Sequence, residues 1–255
     1  MVAFYASSIG KKVVMAVSGL VLFGYVVVHM IGNLQVYLGP EALNSYAESL
    51  RKVPALLWAL RVGLLVAVAL HIWSAWSLTR MNRQARPVGY RERANRASTY
   101  ASRTMRWSGV ILLLFVIYHL LHFTFGPRVV HPHFVPGDVY HNFITGFQHP
   151  LVSAFYILAT LALGLHMYHG VWSMVQTVGL SHPRYNSFRQ AFAAAVTAVV
   201  VAANISFPVA VLTGLLRESP TQEQKAAVTA ARAAGFTPGP NAGDQAAATP
   251  HPLAR

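Results

Sequence analysis

The chain has 255 residues, of which 55% are hydrophobic and 11% charged, about half the charged share of a soluble globular domain. That balance excludes an ordinary soluble fold and points to a membrane protein. The net charge of +13 would suit nucleic acid, but the basic residues gather between apolar runs, and no nucleic-acid partner is expected. Cysteine is absent, which excludes disulfides and any thiolate-held metal or cluster.

Five apolar runs are each about as long as the ~20 residues a spanning helix needs: Val13–Leu38, Val53–Leu78, Trp107–Phe125, Leu151–Val178 and Phe192–Leu216. The first reads as a span and not a cleaved signal, being too long and carrying His29 and Asn33. Between the second and third runs stand Arg80, Arg83, Arg86, Arg91, Arg93, Arg96, Arg103 and Arg106 against one acid, Glu92. By the positive-inside rule this loop is cytoplasmic. The N-terminus, with Lys11 and Lys12, then also lies inside, as does the loop holding Arg184 and Arg189. Residues 39–52 and the His/Pro-rich stretch 127–150 fall outside. The expected organisation is an all-α membrane domain over residues 1–216, followed by an Ala/Pro/Gly-rich tail over 217–255 that is largely disordered, with a short helix expected around 222–234. No repeat of fixed period is apparent.

Four of the runs each carry one mid-span histidine: His29, His71, His119 and His166. An imidazole in a bilayer needs partners that lipid cannot supply, so each should face the bundle interior. Alternating span direction sorts them by depth. His29 and His119 lie past the middle of outward-running helices, His29 by roughly 5 Å; His71 and His166 lie past the middle of inward-running ones, by roughly 8 Å and 2 Å, at the α-helical rise. Two pairs at two depths, each joining alternate helices of a four-helix bundle, suit two b-type haems with bis-histidine ligation, stacked along the membrane normal. Histidines hydrogen-bonded to a neighbouring helix are the plain structural alternative.

Other residues are weaker candidates. His122 and His169 follow candidate ligands by three residues and face a similar direction; His122 could contact a propionate or quinone, and either could be a plain polar contact. His131, His133, His141 and His149 lack accompanying carboxylates except Asp138, and read as solvated or quinone-adjacent. Arg61 is the one formal charge inside a span, placed either to snorkel outward or to pair with a propionate of the outer haem; Lys12, Arg103 and Arg106 stand similarly near the inner one. Gly32, Gly63, Gly109, Gly164 and Gly170 permit close helix approach. All seven acids fall outside the spans, which weighs against a proton-coupled transporter.

The runs SIGKKVVMAVSGLVLFGYVVVHMIGNLQVYLGPEALNSYA, WALRVGLLVAVALHIWSAWSLTRMNRQARP, SGVILLLFVIYHLLHF and LGLHMYHGVWSMVQTVG resemble the cytochrome b membrane-anchor subunit of succinate dehydrogenases and fumarate reductases, of the single-anchor, two-haem kind. The resemblance spans nearly everything from Ser8 to Leu216. It implies that His29, His71, His119 and His166 are the haem ligands, outer pair His29 and His119, inner pair His71 and His166. It also implies a flavoprotein subunit and an iron–sulfur subunit as partners, electron transfer to a quinone, usually menaquinone, and a bacterial cytoplasmic membrane. The subunit would be quinone-reactive without itself handling succinate. Glu48 is the nearest counterpart of an outer glutamate that some members use in quinone-linked proton transfer. The other readings are a different bis-histidine cytochrome b, such as a hydrogenase or formate dehydrogenase subunit, and a haem-free transporter or scaffold.

Overall fold

A computed structural model describes residues 4, 6–85, 99–177, 179 and 182–218. Among these the chain is helical throughout, without a strand. The α-helices are α1 (Ser8–Asn33), α2 (Pro40–Arg51), α3 (Pro54–Gln84), α4 (Tyr100–Leu120), α5 (Val139–Phe147), α6 (Pro150–Thr177) and α7 (Asn186–Leu212). A 3-10 turn, Leu34–Leu38, extends α1, a π turn, Leu121–Phe125, extends α4, and a 3-10 turn, Pro183–Tyr185, precedes α7. Five helices are long and apolar enough to cross a membrane: α1, α3, α4, α6 and α7, with their extensions.

Most of these outrun the apolar stretches, because caps and not hydropathy fix helix ends. The Ser7 hydroxyl accepts from the Gly10 amide at 3.0 Å and starts α1 ahead of Lys11 and Lys12. The Thr99 hydroxyl accepts from Ser102 N at 3.2 Å, so α4 begins at Tyr100, seven residues before the expected Trp107. Both satisfy first-turn amides that have no helical partner. Proline opens α2, α3 and α6, where its missing N–H costs nothing. The fifth span differs most, running from Asn186 to Leu212 against the expected 192–216. Arg86, Arg91, Arg93 and Arg96 and the tail from 219 onward, with its expected helix at 222–234, lie outside the described residues.

α1 packs on α3, α4 on α6, and α6 also on α1, while α7 lies against α6 and α1. α3 and α4 scarcely touch, and α3 keeps Leu56, Trp58, Leu60, Val62, Leu65 and Val66 exposed, the apolar surface expected of a lipid-facing helix. Met30, Met167 and Val200 form the seam where α1, α6 and α7 meet. Gly164 lets α7 close on α6: a Cβ there would stand 2.7 Å from Val201.

The two segments read as loops hold helices of their own. α2 and α5 fold over one end of the bundle and build its main core with the Leu34–Leu38 turn, α6 and α7: Val36, Leu43, Tyr140, Phe143, Ile144, Phe147, Tyr156, Phe207 and Val211 are all buried. Each large apolar side chain there contributes about 1.5–3 kcal/mol relative to exposure. Polar clasps hold the cap. Asn44 donates to Asp138 at 3.0 Å and accepts from the Tyr140 amide at 2.9 Å, while Asn142 pairs with both backbone groups of Val135 at 2.7 Å. Gly126, at φ 56°, closes the α4 extension in the left-handed region that a side chain disfavours. We call this the capped end, and the end carrying Arg80, Arg83, Arg103 and Arg106 the basic end.

Candidate functional site

The four mid-span histidines meet in two pairs across the bundle. His29 of α1 and His119 of α4 have ring centroids 5.8 Å apart, at the level nearer the capped end. His71 of α3 and His166 of α6 have centroids 6.2 Å apart, nearer the basic end. Two imidazoles on either side of one transition metal, each bound at about 2 Å with its ring centre about 1 Å beyond, stand about 6 Å apart. Both centroid separations therefore match a bis-imidazole metal group such as haem. Among the described residues no three metal-ligating side chains of the His, Cys, Asp and Glu types gather at one point, so these histidines are arranged as pairs and not as a bare-ion centre.

Hydrogen bonds orient both rings of the pair nearer the basic end. The Ser18 hydroxyl donates to the Val14 carbonyl at 2.7 Å, leaving its oxygen to accept from His71 Nδ1 at 3.3 Å. The Met15 carbonyl, which can only accept, lies 3.2 Å from the same nitrogen. The Ser108 hydroxyl likewise donates to Met105 O at 3.1 Å and faces His166 Nδ1 at 3.1 Å. Nδ1 carries the proton in His71, where the Met15 carbonyl can only accept; the same tautomer in His166 would pair Nδ1–H with the Ser108 oxygen, and in both rings Nε2 would then remain for a metal, the arrangement by which a ligand histidine is oriented. At the other level, His119 Nδ1 lies 3.4 Å from the Tyr156 hydroxyl. His29 differs, because its Nε2 sits 3.1 Å from the Asn33 amide nitrogen; in this rotamer its lone pair is engaged, and ligation requires the ring to turn from Asn33.

Ser18 and Ser108 were not singled out from the sequence, although a signal for them exists. Ser18-Gly19 stands eleven and ten residues before His29, and Ser108-Gly109 stands at the same spacing before His119. The glycines matter too. A Cβ on Gly19 would lie 3.3 Å from the His71 ring, and one on Gly109 would lie 3.8 Å from His166. The α1–α3 pair is thus echoed by α4–α6, each first helix offering a serine to the histidine of the second. Eleven residues of helix separate the serine and histidine levels by about 16 Å.

The remaining candidates are spread around the bundle. Arg61 is exposed, and its guanidinium rests 5.2 Å from the centre of the Trp58 ring, which gives the cation a π face on one side. Tyr25, within electrostatic reach of Arg61, stacks on His29 with centroids 5.4 Å apart. Glu48 lies on the exposed side of α2, paired with Lys52 at 3.7 Å. Lys12, Arg103 and Arg106 are exposed at the basic end. His169 is one turn beyond His166, and its buried Nδ1 has no hydrogen-bond partner among the described residues, as is true of Trp172 Nε1.

His122 and His131 sit inside the cap. His122 is 1% exposed and its Nδ1 lies 2.9 Å from Tyr156 Oη. His131, expected to be solvated or quinone-adjacent, is 2% exposed and not solvated: its Nδ1 donates to the His122 carbonyl at 3.0 Å and its Nε2 meets Thr145 Oγ1 at 2.9 Å. Hydropathy of the loop gave no sign that α5 would cover it. Burial, opposed in part by the His122 carbonyl and reinforced by His141 and His133, holds His131 below the usual histidine range. His141 reaches the His133 carbonyl at 2.9 Å.

Residues 79–203 are similar to the succinate dehydrogenase/fumarate reductase transmembrane subunit family. The matched stretch contains His119, Tyr156 and His166, with α1 and His71 outside it. No curated protein and no solved structure matches the chain. The family match supports a membrane subunit of succinate dehydrogenase or fumarate reductase, and with the five apolar helices it supports a multi-pass membrane protein.

Proposed function

We propose that the chain is the membrane-anchor cytochrome b subunit of a succinate:quinone oxidoreductase, with two b haems ligated by His29 and His119 at the outer level and by His71 and His166 at the inner. The observation that carries this reading is the pairing of four intramembrane imidazoles at centroid distances of 5.8 and 6.2 Å, two of them with Nδ1 already committed to serine. When bound, the haems supply one-electron chemistry between an iron–sulfur partner and a quinone, menaquinone being the expected one. The residues of the chain orient the imidazoles, hold their tautomers and seal one end of the site with α2 and α5. Arg61, exposed beside Trp58, is the candidate partner for a haem propionate, and Glu48 is the candidate acid for quinone-linked proton transfer. A flavoprotein subunit completes the enzyme, and the basic end faces the cytoplasm of a bacterium and receives the soluble subunits.

The test is haem content and its consequence. Pyridine haemochrome per polypeptide in the assembled complex should approach two, and a value near zero overturns the proposal. His71→Ala should abolish succinate-linked quinone reduction while leaving the flavoprotein's reaction with a soluble dye. Normal quinone reduction in that variant refutes the assignment.

A further inference from the structure

His122 is the least exposed histidine among the described residues, at 1%, and belongs to neither pair. Its Nδ1 lies 2.9 Å from the Tyr156 hydroxyl, and the same hydroxyl lies 3.4 Å from Nδ1 of His119. We propose that Tyr156 is a positioning residue for His119 and that His122 holds it in that role; the inference rests on the function proposed above. A phenol has one proton to give. If His119 ligates through Nε2, its Nδ1 carries the ring proton and donates to the Tyr156 oxygen. The Tyr156 proton then goes to His122 Nδ1, which accepts. In that order each proton shared within the chain His119, Tyr156, His122 has an acceptor.

The surroundings hold that order in place. The π turn Leu121–Phe125 widens the helix at His122, a local departure of the kind found at functional sites, and the His122 carbonyl is taken by the Nδ1–H of His131 at 3.0 Å. The His122 ring stacks on Tyr118 at 5.4 Å and is covered by α5, where a Cβ on Gly146 would stand 3.1 Å from it and 2.9 Å from Phe123. Tyr156 is itself 6% exposed. The two halves of the bundle give an independent reason for its place. Tyr156 precedes His166 by ten residues, and Arg61 precedes His71 by ten, so each rises about 15 Å along its helix to the other histidine level. One half places a phenol beside His119. The other places a guanidinium on Trp58, near Tyr25, which stacks on His29.

A hydrogen bond from Nδ1–H makes an imidazole a stronger donor to its metal, which favours the oxidised state. Removing the acceptor should therefore raise the midpoint potential at the His119 level and leave the His71 level unchanged. The experiment is a redox titration of the assembled complex, with both haems counted first. In Tyr156→Phe the outer potential should rise while the inner stays; an unmoved outer potential with both haems present overturns the proposal. Should Tyr156→Phe lose the outer haem, His122→Asn and His122→Phe decide. An Asn carbonyl can occupy the place of His Nδ1 and accept from Tyr156, so His122→Asn should keep the wild-type potential, whereas His122→Phe should raise it. Equal potentials in these two variants overturn the proposal. A haem-free wild type would instead refute the function on which it rests.

Discussion

Ser108→Ala tests the tautomer argument most directly. In the wild type the Ser108 oxygen faces His166 Nδ1 at 3.1 Å, and the ring has no second partner among the described residues. Alanine leaves a partly buried N–H unpaired, which costs about 1–3 kcal/mol. At ~1.4 kcal/mol per decade this is about a 5- to 150-fold loss of affinity for the haem that His166 is proposed to hold, overlapping the 10–100-fold typical of lost outer-shell partners. Ser18→Ala is the internal control. His71 Nδ1 keeps the Met15 carbonyl at 3.2 Å when the serine is removed, so only a net hydrogen bond is lost, about 0.5–1.5 kcal/mol, or about 2- to 12-fold. The assay is haem retention in the purified complex, followed as the rate of transfer to an excess of apo-globin and read from the inner-haem spectrum. The expected order is wild type slowest, then Ser18→Ala, then Ser108→Ala. Faster loss from Ser18→Ala than from Ser108→Ala, or no change in either, would show that the serines do not orient these rings.

Three further outcomes are expected. The chain lacks cysteine, so single cysteines report topology cleanly: Val129→Cys, at a residue 97% exposed near the capped end, should react with a membrane-impermeant thiol reagent in intact cells, and Arg83→Cys should not; the reverse pattern inverts the orientation. Ile144→Ala removes a side chain 1% exposed from the capped-end core and should destabilise it by about 2–5 kcal/mol, seen as faster proteolysis within residues 127–149; wild-type resistance would mean that this core does not hold α5. His131 is held below the usual histidine range, so below pH ~6.5 the unfolded chain binds the proton more readily, and the stability contributed at neutral pH is lost as pH falls from there toward the folded value. Thermal midpoints in detergent at pH 7.5 and 5.5 should differ more in the wild type than in His131→Phe, and equal differences would remove His131 as the cause.

Much of this protein was legible in one dimension, because the bilayer imposes a length and a polarity that hydropathy reports. The five spans follow from that, and alternating direction places His29 with His119 and His71 with His166 by arithmetic on helical rise. Helix ends were less legible: Ser7 and Thr99 are single capping residues beside polar sequence, and their effect depends on hydrogen bonds that hydropathy does not weigh. The sequence also carried the repeated Ser-Gly before His29 and His119, whose meaning depends on which helix stands beside which. Tertiary structure alone decided the rest. α2 and α5 are short, and their apolar faces acquire a purpose only against α6 and α7, so residues 39–52 and 127–150 read as loops. His131 illustrates the limit, since Val129, Pro132 and His133 beside it in sequence are exposed, and its buried nitrogens meet Thr145 and the His122 carbonyl. Local pattern determines which residues can enter a membrane and at what depth. Contacts between segments far apart in sequence determine which nitrogen of each histidine is free, because a hydrogen-bond partner on another helix leaves no trace in the periodicity of its own.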